Sequence, residues 1–498
     1  MYATPVNHPP AALPDDPPHE PAQADLAARL SSLEGFSSQL GQAVEDIVGA
    51  LLETRESVAP QVSAQVGGLL AEPVAGITEA LTALNRRVHE LEQQVHLERA
   101  CRDLAEVSRS HPKSRSVLFM GGRFFGDNVK YTYLACRDYA LANDVELLYL
   151  PFNAEVEATV RGLGGDCLPH TWTDWSGDDV TRALSTAVLV TSDHLLCANP
   201  YAGALLAGAR HVQLWHGVSI KEIGYRNLPG LARFTPHTAR VLRTSGHFAS
   251  LVGTSPALES DWRRWFGFDR YSDAGYPRND VLHRTPTPDD LINADIATYE
   301  RMMETRARAK PVYVYAPTFR DGARGSWLLE VGLERVAAAV DALGGLLVVN
   351  LHPVEQPLQA RLAQALPGVS FVRPDSDLYP LLTASTALIT DYSSLMFDYL
   401  HLDRPMVLFR PDHADYQEHS RRLFDAKLAE LPAPVVTQAD ELIALLRCPG
   451  ELDRPAERVV RHTLYERLFS VRDGSSARKV CELVGTELER ALAPRLYR

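Results

Sequence analysis

The stretch TDYSSLMFDY, residues 390–399, places acidic and hydroxyl side chains between two apolar runs. We predict that ALIT is the end of a buried strand and that LMFDYL begins a helix. Ser393 and Ser394 then lie at the first helical turn, where hydroxyls and free backbone N–H groups point at one spot, with the positive end of the helix dipole behind them. This arrangement predicts an anion site, and phosphate is the anion that we expect to bind there. The alternative is plain N-capping, which Ser and Asp provide in many helices.

Two histidines follow predicted strands in a similar way. In LWHGVSIKEIG, residues 214–224, His216 comes directly after a strand, and Gly217 allows the backbone to approach a ligand closely. An imidazole titrates near neutral pH and can take a proton from an alcohol. His352 in VVNLHP repeats the arrangement in a later strand. The alternative for each is a histidine that bonds a loop carbonyl. Neither shows HExxH or another close ligand spacing, so no metal site is predicted.

Two arginines near strand ends supply positive charge. GYPRND (275–280) places Arg278 in a turn, and YAPTFRDG (315–322) places Thr318 and Arg320 after a strand. A guanidinium group binds phosphate through two parallel hydrogen bonds, which makes both arginines candidates for an anionic ligand. The alternative for each is an ion pair at the surface or in a turn. We interpret DSD (375–377) as a capping cluster and not as a metal site, because it lies between a strand and a helix start.

The elements that must position these residues form two series of strands and helices. The first series contains the predicted strands SVLFM, VELLYLP, AVLVTS and HVQLWHG, and the second contains PVYVYAPT, GLLVVNLHP, VSFVRP, ALITDYSS and PMVLF. Their continuous apolar character is typical of parallel sheets covered on both faces. We therefore predict two doubly wound α/β domains, residues 113–290 and 291–498, with a cleft between them. A closing C-terminal helix is expected to return to the first domain.

The N-terminal part of the chain has a different sequence pattern. Residues 1–23 are rich in Pro, Asp and Ala, and we predict that they are disordered. Within 24–110, apolar residues recur every three or four positions, which predicts a coiled coil or helical hairpin, broken or kinked at Pro60 and Pro73. We interpret this segment as a device for self-association or a spacer. Docking onto a membrane surface is the alternative.

The composition argues against several classes of protein. The net charge of −13 disfavours a general nucleic-acid binder but permits a local basic pocket. No apolar run is long enough for a transmembrane helix, and the N-terminus lacks the pattern of a signal peptide. The 6 cysteines lie far apart and match no zinc spacing, so we expect reduced thiols in the cytoplasm.

These pieces, in this order, resemble the CDP-glycerol glycerophosphotransferases, the polymerases and primases of teichoic acids and related capsule polymers. The matching strings are FFGDNVKY, LWHGVSIKEIG, SPALESDW, GYPRND, YAPTFRDG, LHP, FSVRDGSSARKV and, above all, LITDYSSLMFDYLHLDRPMVLF. The resemblance extends over residues 115–485 and leaves out the helical N-terminal segment. It implies a GT-B fold, in which two Rossmann-like domains enclose the active site.

The resemblance also implies roles for single residues. His216 is the expected catalytic base, and His352 is expected near the donor phosphates. The expected substrate-binding residues, to which the strand-end position adds Arg320, are Gly217, Val218, Ser219, Ile220, Arg278, Pro317, Thr318, Arg320, Ser393, Ser394 and Asp398. The family commonly has Thr-Pro after His-Gly, where this chain has Val218 and Ser219. No metal or other cofactor is expected, because the helix dipole and cationic side chains can neutralise the diphosphate.

The leading prediction is a cytoplasmic enzyme, peripheral at the inner face of the cell membrane, that moves a polyol phosphate from a CDP-alcohol to an acceptor hydroxyl and releases CMP. The acceptor would be a polyol-phosphate, lipid-linked or glycan molecule, and the product a cell-surface or capsular polymer. Self-association through the N-terminal helices is expected, and nucleic acid is not an expected partner. Two alternatives are a glycosyltransferase of the same fold that uses a nucleotide sugar, and a non-catalytic coiled-coil assembly protein. The presence of both histidines, Arg278 and both serines argues against the second alternative.

Overall fold

The structure, a computed structural model, describes residues 20–57, 60–193, 200–228, 230–231, 234–318, 327–352, 355, 359–412 and 432–494. Residues 1–19 of the segment predicted to be disordered lie outside these ranges, and the first helix begins at Glu20, inside that segment. The chain divides into two compact units between Ala100 and Cys101. Among the helices in the described ranges, none combines the length and apolar character needed to cross a membrane.

The first unit contains a pair of long helices, α1 (Glu20–Ser57) and α2 (Pro60–Ser110), of which α2 continues into the second unit. The Ser37 hydroxyl donates to the side-chain oxygen of Asn85 at 2.9 Å, so α1 and α2 lie side by side as a hairpin. Pro60 is the first residue of α2, a position where proline costs no hydrogen bond. Pro73 lies inside α2, and the helix continues through it, so the break or kink predicted at Pro73 is not a break.

The second unit contains a seven-stranded sheet in which every pairing is parallel. Its strand order is β3-β2-β1-β4-β5-β6-β7, the order of a Rossmann sheet with one strand added. β1 and β4 at the centre are fully buried, which explains their continuous apolar sequences. The strands are β1 Ser116–Met120, β2 Glu146–Tyr149, β3 Asp166–Cys167, β4 Val188–Thr191, β5 Arg210–Gln213, β6 Phe248–Val252 and β7 Phe268–Ser272.

A six-stranded sheet in the same unit is also parallel throughout. Its order, β10-β9-β8-β11-β12-β13, repeats the Rossmann order. The sequence prediction of a mixed α/β fold with parallel sheets is therefore confirmed. The strands are β8 Val312–Ala316, β9 Leu346–Val349, β10 Val369–Phe371, β11 Ala387–Thr390, β12 Met406–Phe409 and β13 Val435–Val436.

Helices cover both sheets, and the last helix returns to the first sheet. In chain order they are α3 Asp127–Ala142, α4 Ala154–Gly162, α5 Gly177–Ser185, α6 Pro200–Leu205, α7 Pro236–Ser245, α8 Glu259–Trp265, α9 Ile296–Ala307, α10 Trp327–Glu330, α11 Leu333–Ala342, α12 Gln359–Ala365, α13 Tyr379–Leu382, α14 Leu395–Asp398, α15 Ala439–Arg447, α16 Pro449–Leu452, α17 Pro455–Leu468 and α18 Ser476–Leu492. Val480 and Val484 of α18 pack into the same core as Val117 of β1. Buried Glu487 bonds the Ser250 hydroxyl of β6 at 2.9 Å, which fixes α18 against this sheet.

The first turns of α3 form a buried polar joint with the segment that precedes α13. The ammonium group of Lys130 donates to the backbone oxygens of Asp290 and Ile292 at 2.7 Å and to a carboxylate oxygen of Asp377 at 2.8 Å. The Tyr131 hydroxyl donates to the same oxygen at 2.8 Å. Asp377 belongs to the DSD cluster, and its other oxygen accepts the backbone N–H of Tyr379, a capping contact. The joint therefore ties a helix beside the first sheet to chain beside the second.

Candidate active site

A cavity of about 610 Å³ lies where carboxyl ends of strands from the two sheets meet. The first sheet contributes the loop after β5, and the second contributes the chain after β8, β9 and β11. Most residues predicted for the site line this cavity: His216, Gly217, Ser219, Ile220, Thr318, His352, Ser393 and Ser394. The four strand ends that the sequence pattern selected are thus brought to one place.

The His216 ring is exposed to the cavity and oriented by a backbone carbonyl. Its Nδ1 lies 2.8 Å from the carbonyl oxygen of Ser192, which directly follows β4. Because a carbonyl accepts and never donates, Nδ1 must carry the proton, and the neutral ring then has its lone pair on Nε2. The ring also stacks on Trp215 with centroids 4.4 Å apart. The hydrogen bond selects the tautomer that a general base requires, and the stacking helps to fix the orientation of the ring.

The turn that carries His216 has an unusual backbone. Trp215 has φ +54°, a left-handed conformation that costs about 1–3 kcal/mol for a bulky residue. Gly217 has φ +138°, which favours glycine. A Cβ at Gly217 would lie 2.8 Å from the Ser394 hydroxyl oxygen, so the turn passes close to the serine pair. Glycine is required here both for the backbone angle and for the close approach.

The serine pair begins a helix that is shorter than predicted. α14 has four residues and is followed by a 3₁₀ turn, Tyr399–Leu402, so the helix dipole behind Ser393 and Ser394 is small. The Ser393 hydroxyl accepts the backbone N–H of Leu395 at 3.3 Å, which is a capping contact. Ser394 makes no such contact at its N-cap position. The capping alternative thus applies to Ser393, while the Ser394 hydroxyl faces the His216 turn.

Asp391 explains why an acid precedes the two serines. Its carboxylate is fully buried, accepts the backbone N–H of Thr318 at 2.9 and 3.0 Å, and accepts the Thr318 hydroxyl as well. Arg410 donates to the Asp391 backbone oxygen at 2.9 and 3.0 Å. Asp391 therefore ties the end of β8 to the end of β11 and sets the spacing between Thr318 and the serines.

Arg278 and Asp398 do not line the cavity but form a buried ion pair behind its wall. The Arg278 Nη2 atom lies 2.6 Å from an Asp398 oxygen, and Nη1 lies 2.6 Å from an Asp127 oxygen. Nη2 also donates to the backbone oxygen of His216 at 2.9 Å. Tyr379 adds a hydroxyl bond to Asp398 at 2.6 Å. Through the bond from Nη2 to the His216 oxygen, the turn that was predicted to bind phosphate through Arg278 supports the His216 loop.

The same polar network extends to two partly buried histidines, His283 and His401. The side-chain amide of Asn279 donates to Asp398 at 3.1 Å and contacts His401 Nε2 at 3.2 Å. His401 Nδ1 lies 2.8 Å from His283 Nε2. Burial, with a smaller contribution from the charge of His283, lowers the pKa of His401 well below 6.5. The His401 ring is therefore neutral at physiological pH.

The remaining predicted residues have other positions. Val218 and Pro317 are buried and do not line the cavity, and Arg320 lies outside the described residues. Within the described ranges, no group of three or more His, Cys, Asp or Glu side chains is placed to hold a metal ion.

One wall of the cavity and several buried supports were not predicted from the sequence. The wall is formed by Ile223, Asn227, Leu228, Thr238, Val241 and Leu242, from α7 and the chain before it. The supports are Ser192, Gln213, Asp127 and Asn128. Asp127 and Asn128 belong to the string FFGDNVKY, which the resemblance singled out without a role, while the wall carries no sequence signal of its own.

The chain is similar in sequence to several curated teichoic acid enzymes. A teichoic acid glycerol-phosphate transferase from Staphylococcus aureus is 29% identical over 287 residues, which cover 55% of this chain and 70% of the relative. A teichoic acid poly(glycerol phosphate) polymerase from Bacillus subtilis is 26% identical over 287 residues, again 55% of this chain. The chain spans only 37% of that polymerase's length.

Solved structures and a family profile complete the comparison. The wall teichoic acid polymerase TagF has a similar fold, with a TM-score of 0.60 and 19% identity over 82% of this chain and 98% of the solved chain. The profile described as CDP-Glycerol:Poly(glycerophosphate) glycerophosphotransferase matches residues 178–486, more than half of the sequence. Since that match includes the His216 turn, His352 and the serine pair, the chain belongs to the CDP-glycerol:poly(glycerophosphate) glycerophosphotransferase family.

Proposed function

We propose that this protein transfers glycerol phosphate, or a similar polyol phosphate, from a CDP-alcohol to an acceptor hydroxyl and releases CMP. The observation that carries the proposal is that His216 and the Ser393–Ser394 pair, which lie after strands of different sheets, line one cavity together with His352. Membership of the glycerophosphotransferase family supports this reaction. The relatives named as teichoic acid transferases and polymerases support a role in making a cell-surface polymer.

In the proposed reaction His216 acts as the general base. Its Nε2 takes the proton of the acceptor hydroxyl, whose oxygen attacks the phosphorus that bears the polyol. The bond from that phosphorus to the oxygen bridging the two phosphates breaks, and CMP leaves with the electron pair. The product is a phosphodiester between acceptor and polyol. The hydrogen bond from Nδ1–H to the Ser192 carbonyl stabilises the imidazolium that forms.

The opposite wall of the cavity supplies donors for the phosphate oxygens. Ser393, Ser394 and His352 line it, and the backbone after β11 turns there. Fixed hydrogen-bond donors of this kind stabilise charge that develops on phosphoryl oxygens. Arg278 contributes indirectly, because it holds the backbone of the His216 turn.

The two sheets would correspond to the two Rossmann-like domains of a GT-B fold, residues 113–290 and 291–498. The repeated strand order and the similarity to TagF support this assignment. The CDP-alcohol would bind to the second domain, next to the serine pair, and the acceptor would approach from the first. α18 lies within the sequence of the second domain, but its side chains would pack against the sheet of the first domain.

The decisive experiment measures CMP release by the full chain from CDP-glycerol and a poly(glycerol phosphate) acceptor. We expect His216→Ala to lower kcat by at least about a hundredfold and to leave donor affinity within about twofold. His462→Ala, which removes an exposed histidine from α17, is the matched control and should retain activity. Undiminished CMP release by His216→Ala would remove the base assignment.

A donor panel with mass spectrometry tests the substrate class. CDP-glycerol, CDP-ribitol and several nucleotide sugars would each be incubated with the same acceptor. A product that contains a new phosphodiester supports the proposed transfer. A product with a glycosidic bond would identify the protein as a glycosyltransferase, and no product with any donor would favour a non-catalytic role.

We also propose that the enzyme attaches to the inner face of the cell membrane through the chain before α7. Leu228, Leu231 and Phe234 are exposed there, Leu231 by 90%, and Leu228 also lines the cavity. Arg226 in this segment and Arg243 on α7 add positive charge. An apolar edge with basic neighbours suits an anionic lipid surface.

Vesicle sedimentation tests this attachment. The full chain should bind vesicles that contain phosphatidylglycerol, and Leu231→Glu should reduce the bound fraction severalfold. Leu141→Glu is the matched control, because Leu141 is 87% exposed on α3 and lies outside this segment. Equal binding by both variants would exclude the segment and leave the N-terminal helices as the alternative.

The N-terminal hairpin would join two copies of the chain, as a coiled-coil segment does. Phe36 and Ile47 on α1 and Ile77 on α2 are half or more exposed, so the hairpin leaves apolar surface uncovered. A second hairpin would cover that surface in a helical bundle. Light scattering should report a dimer for the full chain and a monomer for Phe36→Glu with Ile77→Glu. Arg87→Glu, at an exposed charged position, should leave the dimer intact.

A further inference from the structure

Two buried amide side chains hold the strained residue next to His216. The backbone N–H of Trp215 donates to the Gln213 side-chain oxygen at 3.0 Å, and the Trp215 carbonyl accepts the Asn128 side-chain N–H at 2.8 Å. Both amide residues are fully buried. Side chains thus bond both backbone polar groups of Trp215. This residue has a left-handed φ, a conformation that a tryptophan disfavours.

Each amide is itself held at its other end. The Gln213 side-chain N–H donates to the Asp193 carbonyl at 3.1 Å, and the Asn128 side-chain oxygen accepts the backbone N–H of Arg278 at 3.2 Å. The amides are therefore fixed relative to the end of β4 and to the Arg278 turn. We call Asn128 and Gln213 the amide clamp.

The amide clamp has a direct geometric effect on the base. The peptide unit that joins Trp215 to His216 contains the carbonyl that Asn128 binds. If Trp215 relaxed to a negative φ, this peptide unit would rotate, and the imidazole would leave the Ser192 carbonyl and the face of the Trp215 ring. A strained backbone conformation persists only when its surroundings enforce it.

We propose that Asn128 and Gln213 are positioning residues that enforce the left-handed backbone of Trp215 and so aim His216 Nε2 into the cavity. Neither residue lines the cavity, so neither touches the substrate. The catalytic part of this proposal rests on the proposed function, in which His216 is the base. The conformational part concerns the turn alone and is testable without any substrate.

The test compares Asn128→Ala and Gln213→Ala with the wild-type full chain. Each variant should lower kcat for CMP release by at least about tenfold and leave the KM for CDP-glycerol within about twofold, because the base and not the donor site is displaced. Hydrogen exchange in the peptide 211–220 should become at least about tenfold faster in both alanine variants.

Asn293→Ala is the matched control. Its side-chain amide donates to the carbonyls of Phe125 and Asp375 at 3.2 and 3.0 Å, in the same part of the unit, and its side chain makes no hydrogen bond with the His216 turn. It should lose stability yet keep the wild-type kcat and the wild-type exchange of the peptide 211–220.

The outcomes separate the two proposals. The amide clamp is supported if hydrogen exchange in the peptide 211–220 is slow in the wild-type chain and becomes fast only in Asn128→Ala and Gln213→Ala. If the wild-type chain then releases no CMP, the proposed reaction alone is wrong. Exchange and kcat of Asn128→Ala that match those of Asn293→Ala would overturn the amide clamp.

Discussion

Replacing Arg278 by methionine separates a positioning role from direct binding of the donor. The guanidinium group bonds Asp127 and Asp398 at 2.6 Å each and the His216 carbonyl at 2.9 Å. The Arg278 side chain is 8% exposed, and that of Asp398 is fully buried. Methionine keeps much of the apolar stem of the side chain but removes the charge and all three hydrogen bonds.

The structure sets the expected magnitudes. Removal of one partner from a buried ion pair costs about 3–5 kcal/mol, because the remaining charge is left in a poorly solvated site. Asp127 is 26% exposed and regains water, so we expect a loss of unfolding free energy near the lower end, about 3 kcal/mol. The His216 turn also loses a donor, and a displacement of the base by about 1 Å would lower kcat by up to about a hundredfold.

Three measurements test this reasoning. Urea unfolding gives the free energy, calorimetric titration with CDP-glycerol gives the donor affinity, and CMP release gives kcat. Arg461→Met is the matched control, because Arg461 is also buried and paired with a carboxylate, that of Asp453, but lies away from the cavity. It should lose similar stability and retain kcat. A more than tenfold loss of donor affinity in Arg278→Met, with unchanged unfolding free energy, would refute the positioning role and restore the phosphate-binding role.

Three further predictions address the network and the turn. Because the pKa of His401 is lowered in the folded chain, the unfolded chain binds a proton more readily below pH 6.5. The unfolding free energy should therefore be constant above pH 6.5 and decrease below it. His401→Gln should make this decrease smaller, as measured by urea unfolding at several pH values. Gly217→Ala should cost about 1–3 kcal/mol from its φ of +138° alone and remove most CMP release, and an unchanged thermal unfolding curve would contradict the close approach. Asp377→Asn leaves the buried Lys130 ammonium without its carboxylate and should cost about 3–5 kcal/mol. Lys130→Met with Asp377→Leu should regain only part of that loss in a double-mutant cycle, because the Asp290 and Ile292 carbonyls and the Tyr131 hydroxyl lose their partners.

The buried strands were predictable because a continuous apolar run is visible in the local sequence. β1, β4, β8 and β11 are buried along their whole length, so every residue in them is apolar or nearly so. The strands that were not predicted have weaker signals. β3 and β13 have two residues each, and β7, at an edge of its sheet, is half-buried and has the sequence FDRYS. β6 is buried throughout and has the sequence FASLV, so there the chain did contain a signal that we overlooked.

Searching for polar residues directly after strands identified most of the predicted residues that line the cavity, but not the buried residues that hold them. His216, Thr318 and His352 each follow a strand, and the structure places all three around one cavity. Asn128 follows no strand directly and lies in the first turn of α3, so no positional rule selected it. The string that contains it was identified by resemblance alone, which gives no contact.

The sequence by itself determined the parallel sheets and the polar residues at the strand ends. Apolar runs, and the polar residues that directly follow them, are local features of the sequence. Only the tertiary structure decided that Arg278 pairs with Asp127 and Asp398, residues 151 and 120 positions away. A buried charge must be neutralised by whatever groups the packed chain brings next to it. Those groups come from distant segments, so packing, and not the local sequence pattern, fixed the partners of Arg278.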